Sequence, residues 1–240
     1  MYSKVDERDM SQEMIWYNEA IAGKCLAALK RNGIDGFYVS NRDEALLRLI
    51  EMIPPGKSVG FGDSVTMLQV GIVQELEKRG TNELIHPWRK NGKDYRYPIQ
   101  EAIKICKKAM LTDIYLTGTN AITLDGKLFN IDALGNRVAP MIFGPDKVIV
   151  VTGVNKIVRD IEEATRRVKG FGAGVNSRRH TVKHPGAAVL KEYPPCSITG
   201  VCVDCKPPLR VCISTVIIEC ESRGLPKRLE IVLVGETMGI

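Results

Sequence analysis

The sequence predicts an α/β fold on an open, mostly parallel Rossmann-like sheet. Strand-length apolar runs alternate along the 240 residues with stretches of helical period, the pattern of strands joined by crossover helices. One run, "KVIVVTG" at 147–153, is apolar almost throughout, as a strand covered on both faces must be. Aromatic residues make up 6% of the chain against 44% apolar, so the core has to rest on Val, Ile, Leu and Ala.

The elements follow in order. Met14, Ile21, Cys25, Leu26 and Leu29 recur at helical spacing and Gly33 follows as a stop, which predicts a helix over about 11–32. "FYVS" (37–40) reads as a short strand. Asp43 precedes "EALLRLIEMI", a helix ended by Pro54, Pro55 and Gly56. Residues 58–80 read as strand, Gly-containing turn and amphipathic helix closed by Gly80, and "ELIH" (83–86) is a further strand. "IQEAIKICKKAM" (99–110) is helical, with Ile99, Ile103, Cys106 and Met110 on one side; Cys25 and Cys106 are expected in the core. "DIYLTG" (113–118) is a strand, "NKIVRDIEEATRRVKG" (155–170) a helix with a Gly stop, and "RLEIVLVG" (228–235) the last strand.

Two segments break the rhythm. "AITLDGKLFNI" (121–131) places Asp125-Gly126 between β-prone runs, the signature of a hairpin. Residues 171–212 show no helical period, carry five of the twelve prolines and hold four of the seven cysteines. They read as a loop insertion within a single domain spanning 1–240.

Net charge is +6, spread along the chain. The densest basic cluster, Arg166, Arg167, Lys169, Arg178, Arg179 and Lys183, straddles a Gly-rich turn with only Phe171 nearby for base stacking. A solvated face is therefore favoured over nucleic acid. "MYSKVDERDM" is followed by no apolar run, and the longest apolar runs are too short to cross a bilayer. These features lead to the expectation of a cytoplasmic protein with no membrane partner, in a compartment where structural disulfides are rare.

In an open α/β sheet, ligands bind where loops leave the carboxyl ends of strands. Three such loops are polar here. The first holds Gly62, Asp63, Ser64 and Thr66, with Ser64 serving equally well as a helix N-cap. It lacks the glycines and acid of a dinucleotide fingerprint and the Gly-Lys-Ser/Thr of a P-loop. The second holds Gly118 and Asn120. The third holds Asn155, a natural N-cap, and Lys156, whose charge in a first helical turn would oppose the helix dipole and so points to an anion. Asn136 and Arg137 lie in a Gly turn, where Arg137 could clamp a carboxylate and Asn136 is equally explained as turn chemistry. Together these ten residues predict a pocket for a small carboxylate or phosphate. No nucleophilic triad emerges from His86, His180 and His184; the i, i+4 pair His180/His184 is expected to be solvent-exposed.

The strings "VGFGDSVTMLQVGIVQELEKRG", "DIYLTGTNAITLDGKLFNIDALGNRVAPMIFGPDKVIVVTGVNKIVRDIEEA" and "CSITGVCVDC" resemble the LUD (lactate-utilisation) domain family, including its lactate-utilisation protein C group, over residues 10–238. The resemblance implies a fold of the sugar-phosphate isomerase and CoA-transferase type. It also implies a link to lactate utilisation, since some members act with iron–sulfur partners that oxidise L-lactate to pyruvate. The chain carries neither the glutamate loop of CoA transferases nor the acidic motifs of the isomerases, and it has no ferredoxin-type cysteine repeats. Kinship of fold therefore supplies no reaction.

Cys196, Cys202, Cys205 and Cys212 fall within 17 residues at spacing C-x5-C-x2-C-x6-C. Structural zinc prefers two C-x2-C knuckles, of which one is present, whereas plant-type iron–sulfur sites use C-x4-C-x2-C with a later fourth cysteine. Gly200 permits tight folding, Pro194, Pro195, Pro207 and Pro208 stiffen the arms, and Lys206 and Arg210 supply positive charge. An iron–sulfur cluster, [4Fe–4S] first, leads zinc, a redox dithiol and reduced structural thiols. The reading is a redox or electron-transfer component, an oxidoreductase or its accessory subunit, with a cluster beside a small-anion pocket. Its rival is a zinc-stabilised, non-redox regulatory module that senses a small anion. A redox protein and a second copy of the chain are the partner classes left open.

Overall fold

The structure, a computed structural model, describes residues 6–87, 99–183 and 193–240. Six strands, β1 (Asp35–Val39), β2 (Ser58–Phe61), β3 (Glu83–Ile85), β4 (Ile114–Thr117), β7 (Lys147–Gly153) and β10 (Leu229–Val234), form one sheet in the order β1-β10-β7-β4-β2-β3. Every pairing in it is parallel, as the alternation of runs predicts. In the central strands the side chains alternate between two cores. Ile149, Val151, Val232 and Val234 pack on one face with helices α2 (Arg42–Met52), α3 (Val65–Val70) and α4 (Ile72–Arg79). Val148, Val150, Ile231 and Leu233 pack on the other with α1 (Ser11–Arg31). That is why the two strands read as continuous apolar runs.

The predicted hairpin is present as β5 (Ala121–Thr123) and β6 (Leu128–Asp132), paired antiparallel. It belongs to a second sheet that the sequence reading lacks. Its order is β8-β5-β6-β9, with β8 at Ile157–Val158 and β9 at Ser214–Ile218. This sheet corrects the helix expected over 155–170. Val154–Lys156 form a 3-10 turn, β8 follows, and α7 (Ile161–Arg167) begins only after Asp160, which accepts Glu163 N–H as its N-cap at 2.8 Å. Asn155 is therefore not an N-cap.

Residues 171–212 need the opposite correction. A π-helical turn over Val168–Gly172 leads into α8 (Ala173–Lys183), and a short α9 spans Cys196–Thr199. The helix escapes a periodicity test because its only buried residue is Gly174. A methyl group there would collide with the backbone of Gly200, so α8 and α9 meet glycine to glycine. Gly174→Ala is expected to cost about 1–3 kcal/mol by forcing the two apart. Gly170→Ala, at a site open on all sides, should cost little. Thermal unfolding of the two variants side by side checks this.

Cys25 is fully buried, as expected, while Cys106 on α5 (Ile99–Ala109) is half-buried. His180 lies on α8; His184 lies outside the described residues. Among the described residues no helix is long and apolar enough to cross a membrane.

Candidate functional site

Strands β2, β4 and β7 are neighbours in the sheet, so the three polar loops at their carboxyl ends meet. Between them opens a cleft of about 130 Å³. Asp63, Ser64, Gly118, Asn120, Arg137 and Lys156 line it, six of the ten residues expected. Gly118 lets the second loop approach the first: a Cβ there would come within 2.7 Å of the Ser64 hydroxyl and displace it. Ser64 occupies the N-cap position of α3 but makes no side-chain capping bond, so its hydroxyl is left to the cleft.

The other four residues support the site from outside. Thr66 sits behind Lys156, with its hydroxyl 3.4 Å from Nζ. The Asn155 side chain accepts the backbone N–H of Met238 at 3.0 Å, tying the segment after β10 to the third loop. Asn136 directs its side-chain amide at the Cys106 sulfur, and Gly62 N–H donates to Leu116 O.

Arg137 lines the cleft in a different role from the clamp expected of it. Its Nη1 donates to Gly118 O and the Asn130 side chain, and its Nη2 to the Asn120 side chain and Ile131 O. Its Nε pairs with Asp132 at 3.5 Å. No two-pronged face is left over for a carboxylate. Arg137 instead locks the β4–β5 loop onto β6 and places a buried positive charge at the cleft.

Lys156 is 4% exposed, and among the described residues no carboxylate pairs with it. Among the described residues its Nζ reaches Thr66 Oγ1 and Thr119 O, the latter at 3.2 Å. Burial, followed by the charges of Arg167 and Arg137, pushes its pKa down to about 7. Lys156 lines the cleft from a turn after β7, buried there, and not from the first turn of a helix as the sequence led one to expect.

Arg179, read from the sequence as part of a solvated basic face, is the cleft residue most clearly missed. It comes from α8 and is 13% exposed. It bonds Asp63 through Nη2 at 3.2 Å and Asn176 through Nε. Nη1 has no bond to a described residue. The basic cluster around the Gly-rich turn was the available signal.

A second cavity of about 80 Å³ abuts the first. All four clustered cysteines line it: Cys196 from α9, and Cys202, Cys205 and Cys212 from the loop before β9. The loop is cross-braced. Cys202 N–H donates to Lys169 O, and Asp204, with φ at +47°, turns its N–H toward the Cys202 sulfur at 3.4 Å. Arg210 bonds the Asp204 carboxylate, Cys205 O and Cys212 O, which holds the two ends together. The Cys196 thiol donates to the Ser177 hydroxyl on α8 at 3.4 Å. Among the described residues no group of three or more Cys, His, Asp or Glu is placed to hold a metal ion. Cys212, together with Ile131, Val168 and Ala173, lines both cavities.

Among curated proteins no sequence match to the chain is found. Among solved structures the chain is similar to a DUF162 family protein from Deinococcus radiodurans, at 13% identity and TM-score 0.50, over 90% of this chain and 98% of that one. Ribose 5-phosphate isomerase from Plasmodium falciparum aligns at 17% identity and TM-score 0.30, over 49% of this chain and 52% of that one. The A-type isomerase from Neisseria gonorrhoeae aligns at 12% and 0.32, over 57% and 65%. The first likeness is one of fold, and it spans nearly the whole chain. The LUD domain family matches residues 23–234, from within α1 to the last residue of β10, and the chain belongs to that family.

Proposed function

We propose that this LUD-domain protein carries an iron–sulfur cluster on Cys196, Cys202, Cys205 and Cys212, binds a small carboxylate beside it, and serves as a redox or electron-transfer component. The observation that carries this reading is that Cys212 forms part of the wall of both cavities. An anion in the cationic cleft would lie directly against the cysteine site.

The cysteine arrangement favours a cluster over zinc. Four thiolates around one zinc at 2.3 Å must lie about 3.8 Å apart. Here the four cysteines line a common cavity but, among the described residues, form no group that could hold a metal ion, so the preference for a cluster rests on their C-x5-C-x2-C-x6-C spacing. A [4Fe–4S] cluster bound there would supply one-electron transfer next to the cleft.

The size of the cleft suits a small ligand. An apolar cavity of roughly 150 Å³ accommodates benzene, so about 130 Å³ suits on the order of six non-hydrogen atoms. A three-carbon 2-hydroxy or 2-oxo carboxylate has that size, in keeping with the lactate link that the family resemblance implies. Arg179 and the Ser64 hydroxyl would hold the carboxylate.

Protein purified without oxygen is expected to be brown, with stoichiometric iron and acid-labile sulfide. A colourless protein holding one zinc per chain would overturn the redox reading in favour of a zinc-stapled sensor of small anions.

A further inference from the structure

Lys156 is hard to explain as a structural residue. An ammonium group has three N–H donors, yet this one has two long partners and no counter-ion among the described residues, beside two arginines. Burying an unpaired charge there costs several kcal/mol, so the group is better accommodated as a neutral amine. Lys156 lines a cleft whose Arg179 and Ser64 side chains suit an anion.

We infer that Lys156 is a nucleophilic amine that captures the carbonyl of a small 2-oxo carboxylate as an imine in the cleft. The inference rests on the carboxylate reading above and adds a covalent step to it. Desolvation and neighbouring cations are the two devices that keep a lysine neutral and nucleophilic near pH 7, and Lys156 has both.

The geometry distributes the roles. Arg179, anchored by Asp63 and Asn176, has Nη1 directed to no described residue and would take the carboxylate. The 2-oxo carbon next to that carboxylate would then lie in the cleft that Lys156 also lines. Nζ attacks the carbonyl carbon to form a C–N bond, and the carbonyl oxygen takes up a proton to become a carbinolamine hydroxyl. Loss of that hydroxyl with a second proton releases water and leaves C=N. The Thr66 hydroxyl, 3.4 Å from Nζ, is placed to relay the proton that nitrogen gives up. No oxidant or reductant is consumed, so the step does not depend on the cysteine site.

The test is reductive trapping. The protein is incubated with pyruvate, borohydride is added, and adducts are located by intact mass and peptide mapping. One reduced pyruvyl adduct on Lys156 is expected, and it should be absent from Lys156→Arg, which keeps a long basic side chain but not the nucleophile. L-lactate, which has the carboxylate and lacks the carbonyl, should protect wild-type Lys156, a result that does not depend on any variant folding. Pyruvate binding seen by calorimetry without an adduct on Lys156 would overturn the imine and leave the carboxylate reading standing. Adducts scattered over exposed lysines, with no protection by L-lactate, would also overturn it. No binding of either acid would remove both readings.

Discussion

Serine at both Cys202 and Cys205 is expected to reduce iron and sulfide from stoichiometric to background and to abolish the brown colour. These two residues form the only C-x2-C knuckle, and the turn between them supplies the N–H directed at sulfur. Cys220, exposed beyond β9, is the natural control: Cys220→Ser should retain the full iron content. The Lys156 adduct should also survive in the double serine variant, because imine formation needs no electrons. If iron persists without Cys202 and Cys205, the cluster is ligated elsewhere and the shared wall at Cys212 loses its meaning. The measurement is iron and sulfide analysis with absorption spectra, on protein handled without oxygen.

Replacing Arg137 with methionine is expected to cost about 3–5 kcal/mol, the usual result of removing one partner from a buried charged network. For a chain of this size that lowers the unfolding temperature by on the order of 10 °C. The substitution strips bonds from Gly118 O, Asn120, Asn130 and Ile131 O and leaves Asp132 without its cation. Asp132 is itself 8% exposed, so its charge cannot turn to water without moving β6. Arg137→Lys should recover little of the loss, because a single ammonium cannot reach acceptors arrayed around a planar fork. An unchanged unfolding temperature with loss of anion binding alone would show that Arg137 is a clamp after all. Thermal or urea unfolding of the metal-free protein decides between the two roles.

Much of the fold is legible in the chain because apolar periodicity reports directly on burial. "KVIVVTG" and "RLEIVLVG" are apolar on both faces because both faces are covered, and they became the central strands β7 and β10. The three polar loops followed from the rule for carboxyl ends of parallel strands, which put Ser64, Gly118, Asn120 and Lys156 in one cleft. The misses have equally specific causes. Helix α8 buries a glycine against a glycine, and such a contact leaves no hydrophobic period to read. The β9 run "STVII" is only half-covered, and it becomes a strand because β6 offers it a free edge. Asn155 and Lys156 follow a strand and precede acidic helical residues, so a helix start was the local expectation. The pairing of β8 with β5 overrode it.

The sequence by itself determined the parallel sheet, the hairpin, the family and the spacing of the four cysteines, since each is written in neighbouring residues. Tertiary structure decided what those parts do to one another. It saturated Arg137, left Lys156 buried without a counter-ion among the described residues, brought Arg179 in from α8, and set Cys212 between the cysteine cavity and the cationic cleft. The reason is physical: Lys156 and Thr66 stand 90 residues apart in the chain, and only the order of strands in the sheet brings the amine within 3.4 Å of the hydroxyl.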